Sequence, residues 1–286
     1  MCSIIGIVSP KRALPFEKSE KKTLARVIAL NEYRGGSGAG VWSPKIGLKK
    51  SVKLDAKGEV YTRKDDNNIM VHLRASTSGQ VIDKFCHPFQ SKHIVLAHNG
   101  HITNYRHFRV PMDTLAGVKQ VRKGESAIRE LQGWYVLAWY NLKSGLFHLL
   151  NQSGAIDYGW AGGRLWYAST NLKTALGDKL GAVHSLPSGK HIVFNPFGKV
   201  VKVQSEKDYS PRVFVPRPSP LGFGWTPKTS YFPALNGTQK WSINQLQKIE
   251  DEVNEERLND YNSDIPACNY LPIKYRLNVD YSGSNE

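Results

Sequence analysis

The chain opens with MCSIIGIV, residues 1–8, in which a cysteine at the second position precedes a short run of mostly apolar, β-favouring residues. This run predicts a β-strand over 3–8. Methionine aminopeptidase normally removes Met1 before a small second residue, which leaves Cys2 with a free α-amine. That amine has a pKa of about 7.7–8.0 and can take the thiol proton. The stretch therefore predicts either an N-terminal nucleophile or a strand that merely begins with cysteine.

The first two hundred residues alternate β-rich runs with turns and contain two helical patterns. Apolar spacing close to a helical period predicts helices over 20–31 and 114–131. Strands are predicted over 3–8, 40–42, 68–73, 93–98, 134–141, 145–151, 164–168 and 190–195. Layered strands with helices outside them indicate an α+β domain.

Length and composition argue against a disordered chain and against a membrane-spanning protein. With 286 residues and 40% hydrophobic content, the chain is long and apolar enough for a real core. No window approaches the roughly 18 apolar residues of a membrane-spanning helix. The three cysteines are too few and too scattered for a disulfide framework or a zinc site, and residues 1–8 do not resemble a secretory signal. We expect a cytoplasmic protein that contacts no membrane and holds no metal.

The charge balance is basic. Lys and Arg number 39 against 24 Asp and Glu, a net charge of +15, which favours acidic partners through long-range attraction. No compact basic block, zinc finger or RNA-recognition signature accompanies the charge. A nucleic acid or nucleotide partner is therefore one alternative, beside an acidic protein partner or a dispersed solvated surface.

The residue composition of the sequence changes near residue 207. Six prolines lie within 23 residues, which makes regular strand pairing improbable and predicts an extended wrap or linker. An acidic helix is predicted over 242–261, with Ser242 as its N-cap. We therefore divide the chain into a domain over 2–205 and an irregular Pro-rich extension over 206–286 with a loose tail.

Two further motifs carry groups suited to amide chemistry. In LAHNGHITNY, residues 96–105, the Asn99 amide and the Gly100 N–H could point at one developing oxyanion, although an Asn-Gly pair is more often a tight turn. In VHLRASTSG, residues 71–79, Arg74 at a strand end could bind both oxygens of a carboxylate, although a lone arginine is usually an exposed surface residue without a functional role.

The order of the motifs resembles that of the class II glutamine amidotransferases, which are N-terminal-nucleophile (Ntn) hydrolases. The resemblance covers about residues 2–200 and rests on several weak motifs in one order. The motifs that follow the N-terminal CSIIG are RGGSGAG (34–40), the segment VHLRASTSG (71–79), here called the arginine strand, CHPF (86–89), HNG (98–100), GWYVLAWY (133–140), YAS (167–169) and LPSG (186–189).

The resemblance implies a catalytic set. Cys2 would attack the side-chain amide of L-glutamine with its own α-amine as general base and then acid, and ammonia would leave first. Asn99 and Gly100 would stabilise the tetrahedral oxyanion, and water would then hydrolyse the γ-glutamyl thioester.

The resemblance also implies a substrate-binding set. Arg74 would bind the α-carboxylate of glutamine, Thr77 would add a hydroxyl bond, and Asp113 would bind the α-amine. Arg34 would order the nucleophile loop, and His98 would serve as a hydrogen-bonded orienting group. No cofactor is implied.

The sequence departs from the family pattern at two places. Residues 75–78 read ASTS where the family often has Trp-Ala-Thr-His, which predicts a smaller and wetter pocket wall. Ser37 stands where an aspartate is usual.

The implied fold is a four-layer αββα sandwich, the Ntn-hydrolase fold. Few residues follow position 200 and none forms a nucleotide-binding loop, so we expect ammonia to go to a separate synthase or synthetase chain. Two other functions stay open. One is an N-terminal-nucleophile hydrolase of another amide, and the other is a non-catalytic basic binding subunit that kept the fold.

Overall fold

The computed structural model describes residues 2–9, 15–63, 66, 68–76, 80–177, 181–195 and 200–204. These residues form two antiparallel sheets and helices outside them. The first sheet has the order β11-β9-β10-β1-β4-β2-β3, and the second has the order β13-β12-β8-β7-β6-β5. The strands are β1 Ser3–Val8, β2 Ala39–Ser43, β3 Gly47–Ser51, β4 Asn68–Leu73, β5 Phe89–Ser91, β6 Ile94–Ile102, β7 Gly133–Asn141, β8 Phe147–Gln152, β9 Asp157–Ala161, β10 Arg164–Ala168, β11 Val183–Ser185, β12 Lys190–Phe194 and β13 Val200–Gln204.

The side-chain alternation of β1 explains its central place. Every residue of β1 is buried, because the strand pairs with β4 and β10 and lies between two apolar layers. Ile4 and Val8 face the core between the sheets, whereas Ile5 and Ile7 face the helices on the other side. The opening run of the sequence therefore forms the middle of the first sheet.

Helices cover the outer faces of both sheets. The first outer layer contains α1 Lys18–Ala29, α2 Ala56–Thr62 and α5 Leu172–Leu176, which share one apolar cluster with the first sheet. The second contains α3 Asp113–Lys123 and α4 Glu125–Ile128, which pack on the second sheet. A third cluster lies between the sheets. This arrangement confirms the predicted four-layer αββα sandwich.

The helix predicted over 114–131 is wrong in its continuity. The structure has two helices, α3 and α4, separated at Gly124, whose φ of +111° no helical residue adopts. Apolar residues on both sides of the break face the same cluster, which is why the periodicity continues through it. The strands predicted over 3–8, 68–73 and 164–168 are confirmed at their bounds as β1, β4 and β10.

The Pro-rich extension over 206–286 and its predicted acidic helix lie outside the described residues. Among the residues that are described, no helix is both long and apolar enough to cross a membrane.

Candidate active site

Cys2 lies directly before the central strand, at one end of the core between the sheets. It precedes Ile4 by two residues, so strand alternation directs it to the face that packs against the second sheet. Ala97 of β6 belongs to the same cluster, and Asn99 follows it by two residues on the same face. His72, which pairs with Ile4, bonds to the carbonyl of His98. Cys2 and Asn99 therefore lie at the same end of the sandwich.

The backbone of Ala75 contacts the Cys2 thiol on two sides. The Ala75 N–H donates to Sγ at 3.3 Å, and the thiol donates to the Ala75 carbonyl at 3.5 Å. Burial raises the pKa of the Cys2 thiol, and the Ala75 N–H and the positive charge of Arg74 oppose this shift more weakly. Cys2 is therefore a neutral thiol near pH 7, which needs a base at the moment of attack.

The glycine-rich segment after the first helix fixes the nucleophile. Arg34 is buried, and its Nε donates to the carbonyl of Cys2 at 3.1 Å. Ser37 bonds the arginine strand twice, because its N–H donates to the Arg74 carbonyl at 2.8 Å and its Oγ accepts from Ser76 N at 3.1 Å. Serine thus bonds the backbone at the position where an aspartate was expected.

Arg74 lies directly after β4 with only 4% of its surface exposed. Its Nη1 donates to the carbonyl of Gln80 at 3.1 Å, and its Nη2 donates to Ser76 Oγ at 3.3 Å. These bonds orient a guanidinium whose planar fork matches the two oxygens of a carboxylate. Its charge also acts on the Cys2 thiol, so the arginine and the nucleophile share one site.

Asn99 and Gly100 lie within β6, where the strand pairs with β7. Gly100 has a φ of +115°, and a Cβ there would come within 2.3 Å of the Trp134 carbonyl oxygen. Only glycine therefore fits at this position. Asn99 and Gly100 lie at the same end of the sandwich as Cys2, and their role in binding the oxyanion stays a prediction from the amidotransferase resemblance.

Asp113 begins α3 at the edge of the same site. Its Oδ1 accepts from Thr114 N at 2.8 Å, and its Oδ2 lies 3.4 Å from Nδ1 of His101. Its negative charge raises the pKa of the Cys2 thiol, a smaller effect than burial. Asp113 is therefore close enough to contribute to the field at the nucleophile.

His98 is buried on the opposite face of β6, where its Nδ1 bonds Thr114 Oγ1 at 3.0 Å. Burial lowers its pKa, so the imidazole is neutral. Thr77 lies outside the described residues. Within the part of the chain that the structure describes, no cluster of histidine, cysteine and carboxylate side chains could hold a metal ion.

Three contributions to the site were not assigned from sequence: the Ala75 backbone, the Ser37 hydroxyl and the His72 side chain. A backbone contact leaves no residue-type signal. His72 is a polar residue in an otherwise apolar strand, and this pattern could have marked it as a group that needs a buried partner. Trp134, the first residue of the strand predicted over 134–141, is 52% exposed near the start of β7.

Comparison with known proteins gives one curated relative and several solved structures of similar fold. No family model matches the chain. The chain is 37% identical over 131 residues to the isomerising glutamine–fructose-6-phosphate aminotransferase of Sulfolobus acidocaldarius. The match covers 41% of this chain and 21% of that protein, so the chain spans about a fifth of the relative's length.

Two solved structures share the fold. One is the allosteric regulatory enzyme of purine biosynthesis, with a TM-score of 0.57 and 15% identity. The other is the glutamine phosphoribosylpyrophosphate amidotransferase of B. subtilis, with a TM-score of 0.53 and 14% identity. Each match covers 72% of this chain and 49% of the other. The described part of the chain therefore has the fold of these two enzymes, and 131 of its residues are similar in sequence to a glutamine–fructose-6-phosphate aminotransferase.

Proposed function

We propose that the chain is a glutaminase subunit that hydrolyses the side-chain amide of L-glutamine through a thioester on Cys2 and supplies the ammonia to a separate acceptor enzyme. One observation carries the proposal. The backbone of Ala75 holds the Cys2 thiol at the end of the core. The charge of Arg74, which suits a carboxylate, and the charge of Asp113, which suits an amine, both act on this thiol.

The first step uses the α-amine that removal of Met1 exposes. Because burial raises the pKa of the thiol, the thiolate does not persist at neutral pH. The neutral amine takes the thiol proton as Sγ attacks the amide carbon of glutamine. The carbonyl π electrons move to oxygen and form a tetrahedral oxyanion.

Asn99 and Gly100 stabilise this oxyanion. The Asn99 side-chain amide and the Gly100 N–H each supply one donor from a strand that the surrounding sheet holds rigid. Donors that the fold fixes in advance need no reorganisation as the negative charge develops on the oxygen. The second sheet contributes to the reaction by holding these donors in place.

The second half of the reaction reverses these proton movements. The protonated α-amine gives its proton to the leaving nitrogen, the C–N bond breaks and ammonia departs. Water then attacks the γ-glutamyl thioester while the amine accepts its proton. The C–S bond breaks, and glutamate leaves as Sγ regains a proton.

Three residues select glutamine by its α-substituents. Arg74 binds the α-carboxylate in two-point fashion, and Asp113 binds the α-ammonium. Thr77 adds a hydroxyl bond to the carboxylate. Ala75 stands where the family often has tryptophan, which predicts a smaller pocket wall, so a different amide is the second candidate substrate.

The acceptor is a synthase or synthetase on another chain. The net charge of +15 favours an acidic partner, of which a nucleotide or nucleic acid is one kind. Titration with nucleotides at two salt concentrations tests that alternative, and salt-independent or absent binding rejects it.

The experiment is glutaminase turnover on protein whose N-terminus has been determined by mass spectrometry. We expect glutamate and ammonia from glutamine, with turnover abolished in Cys2→Ala and reduced in Cys2→Ser. Asparagine and γ-glutamyl amides are run beside glutamine. Preference for one of these amides supports the second candidate, and absence of turnover with a free Cys2 and a co-purified partner rejects catalysis.

A further inference from the structure

Four buried side chains and the backbone carbonyl of His98 form a closed hydrogen-bonded ring beneath the candidate active site. His98 Nδ1 lies 3.0 Å from Thr114 Oγ1, and the same oxygen lies 3.0 Å from His87 Nε2. His87 Nδ1 lies 3.1 Å from His72 Nε2, and His72 Nε2 returns to the His98 carbonyl at 2.9 Å. We call this set the histidine–threonine ring.

The three imidazoles of the ring are neutral. Burial lowers the pKa of His72 to about 3, and burial also lowers the pKa values of His87 and His98. A neutral imidazole has one donor and one acceptor nitrogen. His87 uses both in the ring, whereas His72 bonds through Nε2 alone and His98 through Nδ1 alone, so the ring closes without a buried charge. None of the three serves as the catalytic base, because the α-amine of Cys2 fills that role in the proposed reaction.

The carbonyl of His98 assigns the tautomer of His72. A carbonyl only accepts, so His72 Nε2 carries the hydrogen. His87 Nδ1 lies 3.1 Å from His72 Nε2 and 3.3 Å from the same carbonyl. The Thr114 hydroxyl contacts both remaining imidazoles and also lies 3.5 Å from Asp113 Oδ1.

Each strand or helix of the site contributes to this ring a residue one or two positions from a proposed substrate-binding residue. His72 lies in β4 two positions before Arg74, which follows the strand, and His98 directly precedes Asn99 in β6. Thr114 follows Asp113 at the start of α3. The three segments come from both sheets and one helix, and the ring joins them directly.

The geometry points to a positioning function, and this inference rests on the proposed glutaminase activity. The histidine–threonine ring fixes the relative positions of Arg74, Asn99 and Asp113, so that one substrate meets its carboxylate, oxyanion and ammonium partners together. Thr114 is the key positioning residue, because its hydroxyl joins two imidazoles and its backbone N–H bonds the Asp113 carboxylate.

An apolar alternative shows why a polar ring serves this purpose. Apolar groups of the same volume could fill the space, but packing alone has no directional preference. Hydrogen bonds fix both distance and angle, and catalysis loses about 10²-fold for a 1 Å displacement of a reacting group. The ring therefore contributes precision of placement.

The test compares Thr114→Val, which keeps the volume and removes the hydroxyl, with Thr114→Ser, which keeps the hydroxyl. Kinetic constants for glutamine and thermal unfolding are measured on both. We expect kcat to fall and KM to rise in Thr114→Val, each by roughly 10-fold, because Asn99 acts on the former and Arg74 and Asp113 on the latter. Thr114→Ser stays within about 3-fold of wild type in both constants.

A control separates positioning from stability. Ser43→Ala removes a buried hydroxyl that bonds Asp66 at 2.6 Å at the end of β2 remote from Leu73. We expect a lower Tm and unchanged kcat and KM for this variant. The ring proposal is overturned if Thr114→Val keeps both constants while its Tm falls like that of Ser43→Ala, or if Thr114→Ser loses as much activity as Thr114→Val.

The wild-type protein in the same assay separates the two proposals. Absence of wild-type turnover overturns the glutaminase proposal and the ring proposal with it. Wild-type turnover with an unaffected Thr114→Val overturns the ring proposal alone.

Discussion

Gly100→Ala tests the oxyanion geometry at its most constrained atom. The alanine Cβ would lie 2.3 Å from the Trp134 carbonyl oxygen and 2.7 Å from Tyr135 Cα. Ordinary contact begins at 3.4 Å, so β6 and β7 must separate by about 1 Å at this point. The φ of +115° adds strain of roughly 1–3 kcal/mol.

This displacement moves the Gly100 N–H away from the developing oxyanion. Loss of one such donor lowers kcat by about 10²–10³-fold. We expect that decrease in steady-state glutamate release, with KM changed much less, because Arg74 and Asp113 lie on other elements.

Gly124→Ala is the matched control. Gly124 has nearly the same φ, +111°, but no atom lies within 4 Å of the added Cβ. Gly124→Ala introduces a similar backbone strain without the clash, at a position between α3 and α4. Equal loss of kcat in both variants would refute the oxyanion explanation and assign the effect to backbone strain, and wild-type kcat in Gly100→Ala would refute the placement of the donor.

Three further predictions follow from the same geometry. Ser37→Ala removes the acceptor for Ser76 N, so kcat/KM falls about 5-fold for about 1 kcal/mol, and Ser37→Asp restores it. Arg74→Lys loses the two-point fork, so KM for glutamine rises at least about 10-fold while kcat changes little, as steady-state kinetics will show. Acid unfolding depends on His72, whose pKa lies at about 3 in the folded state against 6.5 ordinarily. Between these two pH values the His72 imidazole is protonated in the unfolded chain but not in the folded one. The free energy of unfolding therefore decreases as the pH falls from 6.5 towards 3, by about 1.4 kcal/mol per pH unit from this residue. The slope of Tm against pH should flatten in His72→Gln, and an unchanged slope would contradict the assignment.

The sequence predicted the central strands because their periodicity matches their environment. β1, β4 and β10 lie side by side in the middle of the first sheet, where burial on both faces favours mostly apolar runs. Helix α2 was missed, because its seven residues include a glycine and only three are buried. Short elements leave too few residues for a period to emerge.

The candidate site was predictable where a side chain carries the role and less so where the backbone does. Cys2, Arg74, Asn99 and Gly100 came from motif order, and the structure brings them to one end of the sandwich. The two contacts of Ala75 with the thiol depend on backbone atoms that every residue shares. Tertiary proximity, not residue type, creates those contacts.

Trapping the covalent intermediate tests whether Cys2 is the nucleophile. Protein with a verified N-terminal Cys2 is mixed with glutamine, quenched in acid during turnover and digested, and its peptides are analysed by mass spectrometry. We expect one γ-glutamyl group on the N-terminal peptide, lost on treatment with hydroxylamine and absent in Cys2→Ala. A γ-glutamyl group on the peptide that contains Cys86, or turnover carried by protein that retains Met1, would contradict it.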